Sequence, residues 1–210
     1  MNQIIPAILA KDEQEFRSRL ALIKDTTDAI QIDVLDNTLY PNTSWCDMDV
    51  IDSLDDATWI ELHFMVNNPV QYIEHIKRGG PIHRALWHIE APIDHGDLIE
   101  TCRNIGIEVG LAIAPRTSIE ALQPFADQVD EILVLGVDPG FSGQPLIPHT
   151  IQTARDLYAR FPSCIIGFDG GITPQNLPDL RAAGVTRFCV GSAIWKNKNS
   201  TEALEQLQNA

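Results

Sequence analysis

Short apolar runs alternate with longer, polar-faced stretches along the whole chain. The runs cover residues 4–9, 29–35, 59–65, 85–89, 108–113, 131–137, 164–168 and 187–190. Runs of this length suit buried strands, and the segments between them carry helix signals. Asp12 is placed to cap a helix through Phe16, Leu20 and Ile23. Pro69 opens a second through Tyr72, Ile73 and Ile76, closed by Gly79-Gly80. Ser118 leads into Ile119, Leu122 and Phe125, and Thr150 into Ala154, Leu157 and Tyr158. Pro174 and Asn176 precede Leu180, with Gly184 behind, and Ser200 precedes Ala203, Leu204 and Leu207. Eight strand–helix units without a linker predict one α/β domain over residues 1–210, a single (β/α)8 TIM barrel. The loop over 36–56, rich in Asp, Asn and Pro, fits that segmentation least well. An open doubly wound sheet competes, but no GxGxxG follows the first run.

Side chains alternate across a strand, so polar residues inside the runs reveal the inner face. Ile30, Ile32 and Val34 suit a helix layer, which turns Gln31 and Asp33 inward. Ile60, Leu62 and Phe64 leave Glu61, His63 and Met65 inward. His88 and Glu90 point the same way, and so does Asp169 beside Ile166 and Phe168. Asp33, His63, His88 and Asp169 then meet near the C-terminal ends of strands, where barrel enzymes keep their chemistry. A lone buried carboxylate costs roughly several kcal/mol unless it is paired or metal-bound. Two carboxylates and a histidine in one cavity read as a site, although each alone also fits a satisfied structural group.

Composition narrows the function. An apolar content of 44% supports a real core and argues against disorder. Fifteen basic residues against 29 acidic ones give a formal charge of −14, which excludes a general affinity for nucleic acid or anionic membranes. No run approaches the roughly 20 apolar residues of a membrane span. The first residues lack a basic, signal-like start, and Cys46, Cys102, Cys164 and Cys189 form no CxxC pair, so free thiols and a cytoplasmic location are expected. A phosphate must be bound locally, against the overall field. Asp169-Gly170-Gly171 and Gly191-Ser192 offer backbone N–H groups for that purpose after the seventh and eighth runs. The Gly-rich segment 137–144 reads as a mobile lid. Among the other polar and aromatic residues, His75, His83, His95 and His149 read as surface groups and Trp195 as packing. Trp45 reads as a cover for the site or a subunit contact, Arg116 as a further site candidate, and 47–56 as a solvated face.

These motifs carry a resemblance. Pro6-Ala7-Ile8-Leu9, Asp33-Val34-Leu35-Asp36, Leu62-His63-Phe64-Met65, His88-Ile89-Glu90, the run from Asp138-Pro139-Gly140-Phe141 to Ser142-Gly143-Gln144, Asp169-Gly170-Gly171 and Gly191-Ser192-Ala193 stand in the order seen in the ribulose-phosphate 3-epimerase family. The chain resembles that family over nearly its whole length. The resemblance implies an isomerase that moves a proton at C3 of a ketose phosphate, with Asp33 and Asp169 as the two catalytic carboxylates on opposite faces of the substrate. It implies a divalent metal ion (zinc, manganese, iron or magnesium) held by Asp33, His63 and Asp169. It places Ala7, His63, Met65, Gly140, Phe141, Ser142, Gly143, Gly170, Gly171, Gly191 and Ser192 at the substrate, itself a sugar phosphate. Dimers or hexamers are common among relatives, so a homo-oligomer is compatible with it.

Three departures stand out. The family's first metal-binding His falls on Gln31, its substrate-contacting Ser residues fall on Ala7 and Ala10, and its Met-Asp-Gly reads Leu35-Asp36-Asn37. An amide oxygen is a poor zinc ligand beside imidazole but serves harder cations, so Gln31 implies weaker zinc binding, another metal or none. Two other functions compete. A related phosphosugar decarboxylase would carry Asp-x-Lys-x-x-Asp, but Leu35 stands where the Lys belongs. A sugar-phosphate-binding barrel that has lost catalysis is favoured by Gln31, Ala7 and Ala10 and opposed by Asp33, His63 and Asp169.

Overall fold

Parallel strands survive where both of their faces are covered, and the apolar runs of this chain supply that double burial. In the computed structural model, which describes residues 2–54 and 58–210, they form eight strands. These are β1 (Gln3–Ile8), β2 (Ala29–Val34), β3 (Trp59–Phe64), β4 (Ile82–His88), β5 (Glu108–Ile113), β6 (Glu131–Leu135), β7 (Ile165–Asp169) and β8 (Arg187–Val190). Neighbours pair in parallel in chain order and β8 returns to β1, closing a TIM barrel, as the run pattern predicts. Strand boundaries move by a few residues from the runs: β4 starts at Ile82, upstream of residue 85.

Alternation separates two cores. Ile30, Ile32, Val34, Ile60, Leu62, Phe64, Ile166 and Phe168 join the layer between strands and helices. Ile5, Ala7, Leu86, Ala112, Leu133, Leu135 and Cys189 fill the lumen. Below them, at the N-terminal end, the lumen is closed by charge. Buried Arg84 pairs with Glu131 and with Glu108, and Arg187 pairs with Glu61 at 2.6 Å and with Glu131 at 3.0 Å. The Trp59 ring lies 5.0 Å from the Arg84 guanidinium and 4.7 Å from that of Arg187.

The helices are α1 (Glu13–Ile23), α2 (Met48–Asp52), α3 (Val70–Ile73), α4 (His95–Ile105), α5 (His149–Arg160), α6 (Leu177–Ala182), α7 (Ser192–Trp195) and α8 (Ser200–Asn209). Asp12 caps α1 as expected, accepting from the Glu15 N–H. Three segments differ from expectation. The helix opened by Pro69 stops at Ile73, because His75 and Ile76 donate to carbonyls three residues back and tighten the chain into turns. After Ser118 the chain makes two short 3₁₀ turns, Ile119–Leu122 and Ala126–Gln128, and Pro124 between them has no N–H to continue a helix. The stretch read as a solvated face has structural duties: Asp47 caps α2, and Asp52 is covered by Lys77 at 2.6 Å. Residues 55 and 56 of that stretch, with residue 57 and Met1, lie outside the described residues.

Candidate active site

The pleat of β2, β3 and β7 delivers four polar side chains to one point at the C-terminal mouth. Asp33 and His63 are partners in the β2–β3 register, and Asp169 is the last residue of β7. Gln31 Nε2 donates to Asp33 Oδ1 and to Asp169 Oδ2, both at 2.9 Å. His63 Nδ1 lies 3.2 Å from the same Asp33 oxygen and 3.4 Å from the same Asp169 oxygen. Two nitrogens and two carboxylate oxygens thus make a small square. The remaining oxygens, Asp33 Oδ2 and Asp169 Oδ1, take no hydrogen bond from any described residue, and both aspartates line the mouth pocket.

Burial of the square sets its charge. Desolvation pushes the Asp33 carboxyl up; hydrogen bonds from His63 and Gln31 pull it down, the nearby Asp169 charge adds to the rise, and the net direction is up. Desolvation lowers His63, but hydrogen bonds and charge from Asp169 and Asp33 outweigh it and raise the imidazole to about 9. In the metal-free protein His63 is therefore an imidazolium facing two carboxylates.

A second tier stands behind His63. Its Nε2 lies 3.0 Å from His88 Nε2, and both rings are fully buried. His88 Nδ1 is 3.1 Å from Glu90 Oε2 and 3.1 Å from the Tyr40 hydroxyl. Glu90 Oε1 accepts from the Ala114 N–H at 2.9 Å. Burial lowers His88 to about 4, so its ring stays neutral. Burial raises Glu90, but the His88 hydrogen bond and charge, with help from Thr117 and Ala114, outweigh it and hold the carboxyl at about 2.

Most residues expected at the substrate surround one pocket: Ala7, Met65, Gly140, Phe141, Ser142, Gly143, Gly170, Gly171, Gly191 and Ser192 all line it. His63 and Gln31 lie beneath its floor. Gly171 has φ +69°, and a Cβ there would come within 2.6 Å of the Leu146 backbone, so only glycine keeps this turn. The segment read as a lid is tied at its base, where Gln144 Nε2 donates to the carbonyls of Asp138 (2.6 Å) and Phe141 (2.8 Å). Asn42 Nδ2, from the loop after β2, reaches the Gly140 carbonyl at 2.8 Å. Phe141 itself is 56% exposed.

Several expectations are corrected. Trp195 does more than pack: it lines the pocket, and its Nε1 donates to the Ala7 carbonyl at 2.6 Å. Arg19, a residue the sequence did not single out, lines the pocket from α1, with its guanidinium 5.3 Å from the Trp195 ring. Arg116 is not part of the pocket; it is exposed and 3.4 Å from Asp138. Trp45 stacks on Phe16 at 4.8 Å and joins the outer core rather than covering the site. His95 and His83 are half-buried rather than surface groups: His95 Nδ1 accepts from Trp87 Nε1, and His83 stacks on Trp59.

The site suits a divalent cation. One imidazole nitrogen and two carboxylate oxygens lie within 4.8 Å of one another. Gln31 Oε1 is buried without a hydrogen-bond partner, an acceptor left over beside the square. A donor set of one nitrogen and up to three oxygens leans toward harder cations than zinc.

A ribulose-phosphate 3-epimerase of Chlamydia pneumoniae is 33% identical over 180 residues, covering 81% of this chain and 77% of its own. The cytoplasmic isoform of ribulose-phosphate 3-epimerase from Oryza sativa subsp. japonica is 28% identical, covering 99% of this chain and 93% of its own. A mutant tryptophan synthase alpha-subunit from Pyrococcus furiosus matches with a TM-score of 0.76 over 100% of both chains at 17% identity, a likeness of fold alone. Among the described residues no helix is long and apolar enough to cross a membrane. The model of the ribulose-phosphate 3 epimerase family matches residues 3–195, and the chain belongs to that family.

Proposed function

We propose that the protein is a sugar-phosphate epimerase that interconverts D-ribulose 5-phosphate and D-xylulose 5-phosphate, or a closely related pair, by moving a proton at C3. The observation that carries this reading is the pair of carboxylates, Asp33 and Asp169, bridged by one amide and one imidazole and each keeping an oxygen for the pocket. One carboxylate removes the C3 proton from one face, and the other, protonated, returns a proton to the opposite face. The raised Asp33 carboxyl suits the acid half in one direction, with Asp169 as the base. The roles exchange in reverse.

Asp33, His63 and Asp169 would hold a divalent cation, with the Gln31 carbonyl oxygen as the further donor. When bound, the cation supplies a Lewis acid for the negative charge that develops on the substrate oxygens. Manganese, iron or magnesium fits this donor set better than zinc. Backbone N–H groups at Gly170-Gly171 and Gly191-Ser192 receive the phosphate, which answers the −14 net charge without a dedicated basic side chain. The lid carrying Phe141 closes over the sugar and keeps water from the carbanionic intermediate. A cytoplasmic location follows the rice relative, a cytoplasmic isoform.

A non-catalytic sugar-phosphate binder is the second reading, favoured by one observation: Gln31 Nε2 ties down both carboxylates at 2.9 Å. Proton NMR of D-ribulose 5-phosphate incubated with protein and manganese separates the two. Signals of the xylulose isomer growing to equilibrium support the epimerase. Binding without any new isomer supports the binder.

A further inference from the structure

The buried chain behind His63 leaves little freedom in where its protons sit. A carboxylate only accepts, so the nitrogen facing Glu90 Oε2 must carry hydrogen. That nitrogen is His88 Nδ1, at 3.1 Å. Tyr40 agrees: its oxygen sits 3.1 Å from the same nitrogen, and its own O–H reaches Glu90 Oε2 at 3.4 Å. The opposite arrangement, with Tyr40 donating to a bare Nδ1, would aim a lone pair at the carboxylate. The Ala114 N–H pins the other Glu90 oxygen, so the carboxylate cannot turn away. The group facing Nε2 of His88 is Nε2 of His63. Two nitrogens 3.0 Å apart share one proton, and two carboxylates face the other nitrogen of His63 where a single one faces that of His88, so the shared proton stays on His63 and His88 Nε2 accepts it.

We infer that Glu90 and His88 are positioning residues that keep a proton on Nε2 of His63 and so reserve Nδ1 for the carboxylate pair and for the cation that pair would hold. The two rings lie nearly in one plane, 20° apart with centroids at 5.2 Å, so the contact runs edge to edge along the N–H direction and fixes the orientation as well as the proton. Neither residue touches the pocket; both act through His63. Partners of this kind commonly change metal affinity 10- to 100-fold. The compensation matters here because Gln31 offers an amide where imidazole would bind more tightly. Only the last step, cation binding, rests on the function proposed above.

Two measurements test the inference. Long-range ¹H–¹⁵N NMR of metal-free, histidine-labelled protein reads the protons directly. The expected pattern is His88 protonated at Nδ1 and bare at Nε2, with His63 protonated at Nε2 as well as at Nδ1. A proton on His88 Nε2 overturns the inference. Zinc titration against a chromophoric chelator then compares the unaltered protein with Glu90→Gln and Glu90→Asp. The amide can turn its NH₂ toward His88 and push the proton to the far nitrogen, so Glu90→Gln should weaken zinc by about 10- to 100-fold. Glu90→Asp should recover part of that loss. Unchanged zinc affinity in Glu90→Gln, or equal losses in both variants with the His88 nitrogen pattern intact, overturns the inference. A protein with the expected nitrogen pattern that takes up neither zinc nor manganese upholds the proton placement and overturns the metal reading, so the two failures are distinguishable.

Discussion

Asp33→Asn should make the metal-free protein more stable while disabling it. Asp33 is 9% exposed, and its carboxyl is raised above its usual value of 3.8, chiefly by desolvation and, against two hydrogen bonds, by the Asp169 charge. A carboxyl whose folded pKa exceeds its unfolded value is bound to its proton more tightly in the fold. Its ionisation therefore costs stability: the protein is favoured below the unfolded value of 3.8, and that advantage is lost as pH rises through the raised value. Asparagine has nearly the same shape, can still accept from Gln31, and carries no charge. It gives up the charge on its bond to His63, so the gain falls within the ordinary range of about 0.5–2 kcal/mol at pH 7. At about 2–4 °C per kcal/mol for a chain of this size, the melting temperature should rise by about 1–8 °C. Epimerisation should fall by about 10²–10⁴, the usual worth of a positioned acid or base. A cation reverses the order of stability. At about 100 times its dissociation constant it adds about 2.7 kcal/mol to the unaltered protein, and less to a variant short of one carboxylate. Calorimetry of both proteins from pH 5 to 8, with chelator and then with manganese, reads the whole argument. A variant that melts below the unaltered protein in chelator at pH 7 would refute it.

Other perturbations follow from the same geometry. Gln31→His replaces a leftover amide oxygen with imidazole and should raise zinc affinity in a chelator competition; equal or weaker binding would mean that residue 31 does not face the ion. Phe141→Ala removes an apolar group already about half covered, so lid closure should lose about 1 kcal/mol and KM should rise by about five- to tenfold, with kcat less affected; an unchanged KM would remove Phe141 from the closed state. Arg187→Met leaves Arg84 alone to face the fully buried Glu61 and Glu131 at the opposite end of the barrel and should cost about 3 kcal/mol in urea unfolding, the lower end for breaking a buried pair; a loss below about 1 kcal/mol would mean that water reaches the cluster.

The barrel was legible because β strands that are buried on both faces leave uninterrupted apolar runs, and polar residues within such runs can point only into the lumen. Gln31, Asp33, His63 and Asp169 stand out on that ground alone. α4 was equally legible and was passed over: Asp94 caps it, left-handed Gly106 stops it, and Leu98, Ile99, Cys102 and Ile105 keep helical spacing between them. Arg19 was hidden by its helix. On α1 it reads as one more exposed cation, and only barrel closure through β1 and β8 carries its guanidinium to Trp195. Trp195 was misjudged for the same reason, since its partner, the Ala7 carbonyl, is 188 residues away. Alternation put Glu90 on the same face as His88, but not that one of its oxygens takes His88 Nδ1 while the Ala114 N–H, 24 residues on, holds the other.

Solvent exchange at the reacting carbon addresses the paired carboxylates most directly. In deuterated water with manganese, D-ribulose 5-phosphate should gain deuterium at C3 with the unaltered protein, and labelling should slow by at least about 10² in both Asp33→Asn and Asp169→Asn. Labelling no faster than in an enzyme-free control, or equal labelling by both variants and the unaltered protein, would contradict a proton transfer shared between Asp33 and Asp169.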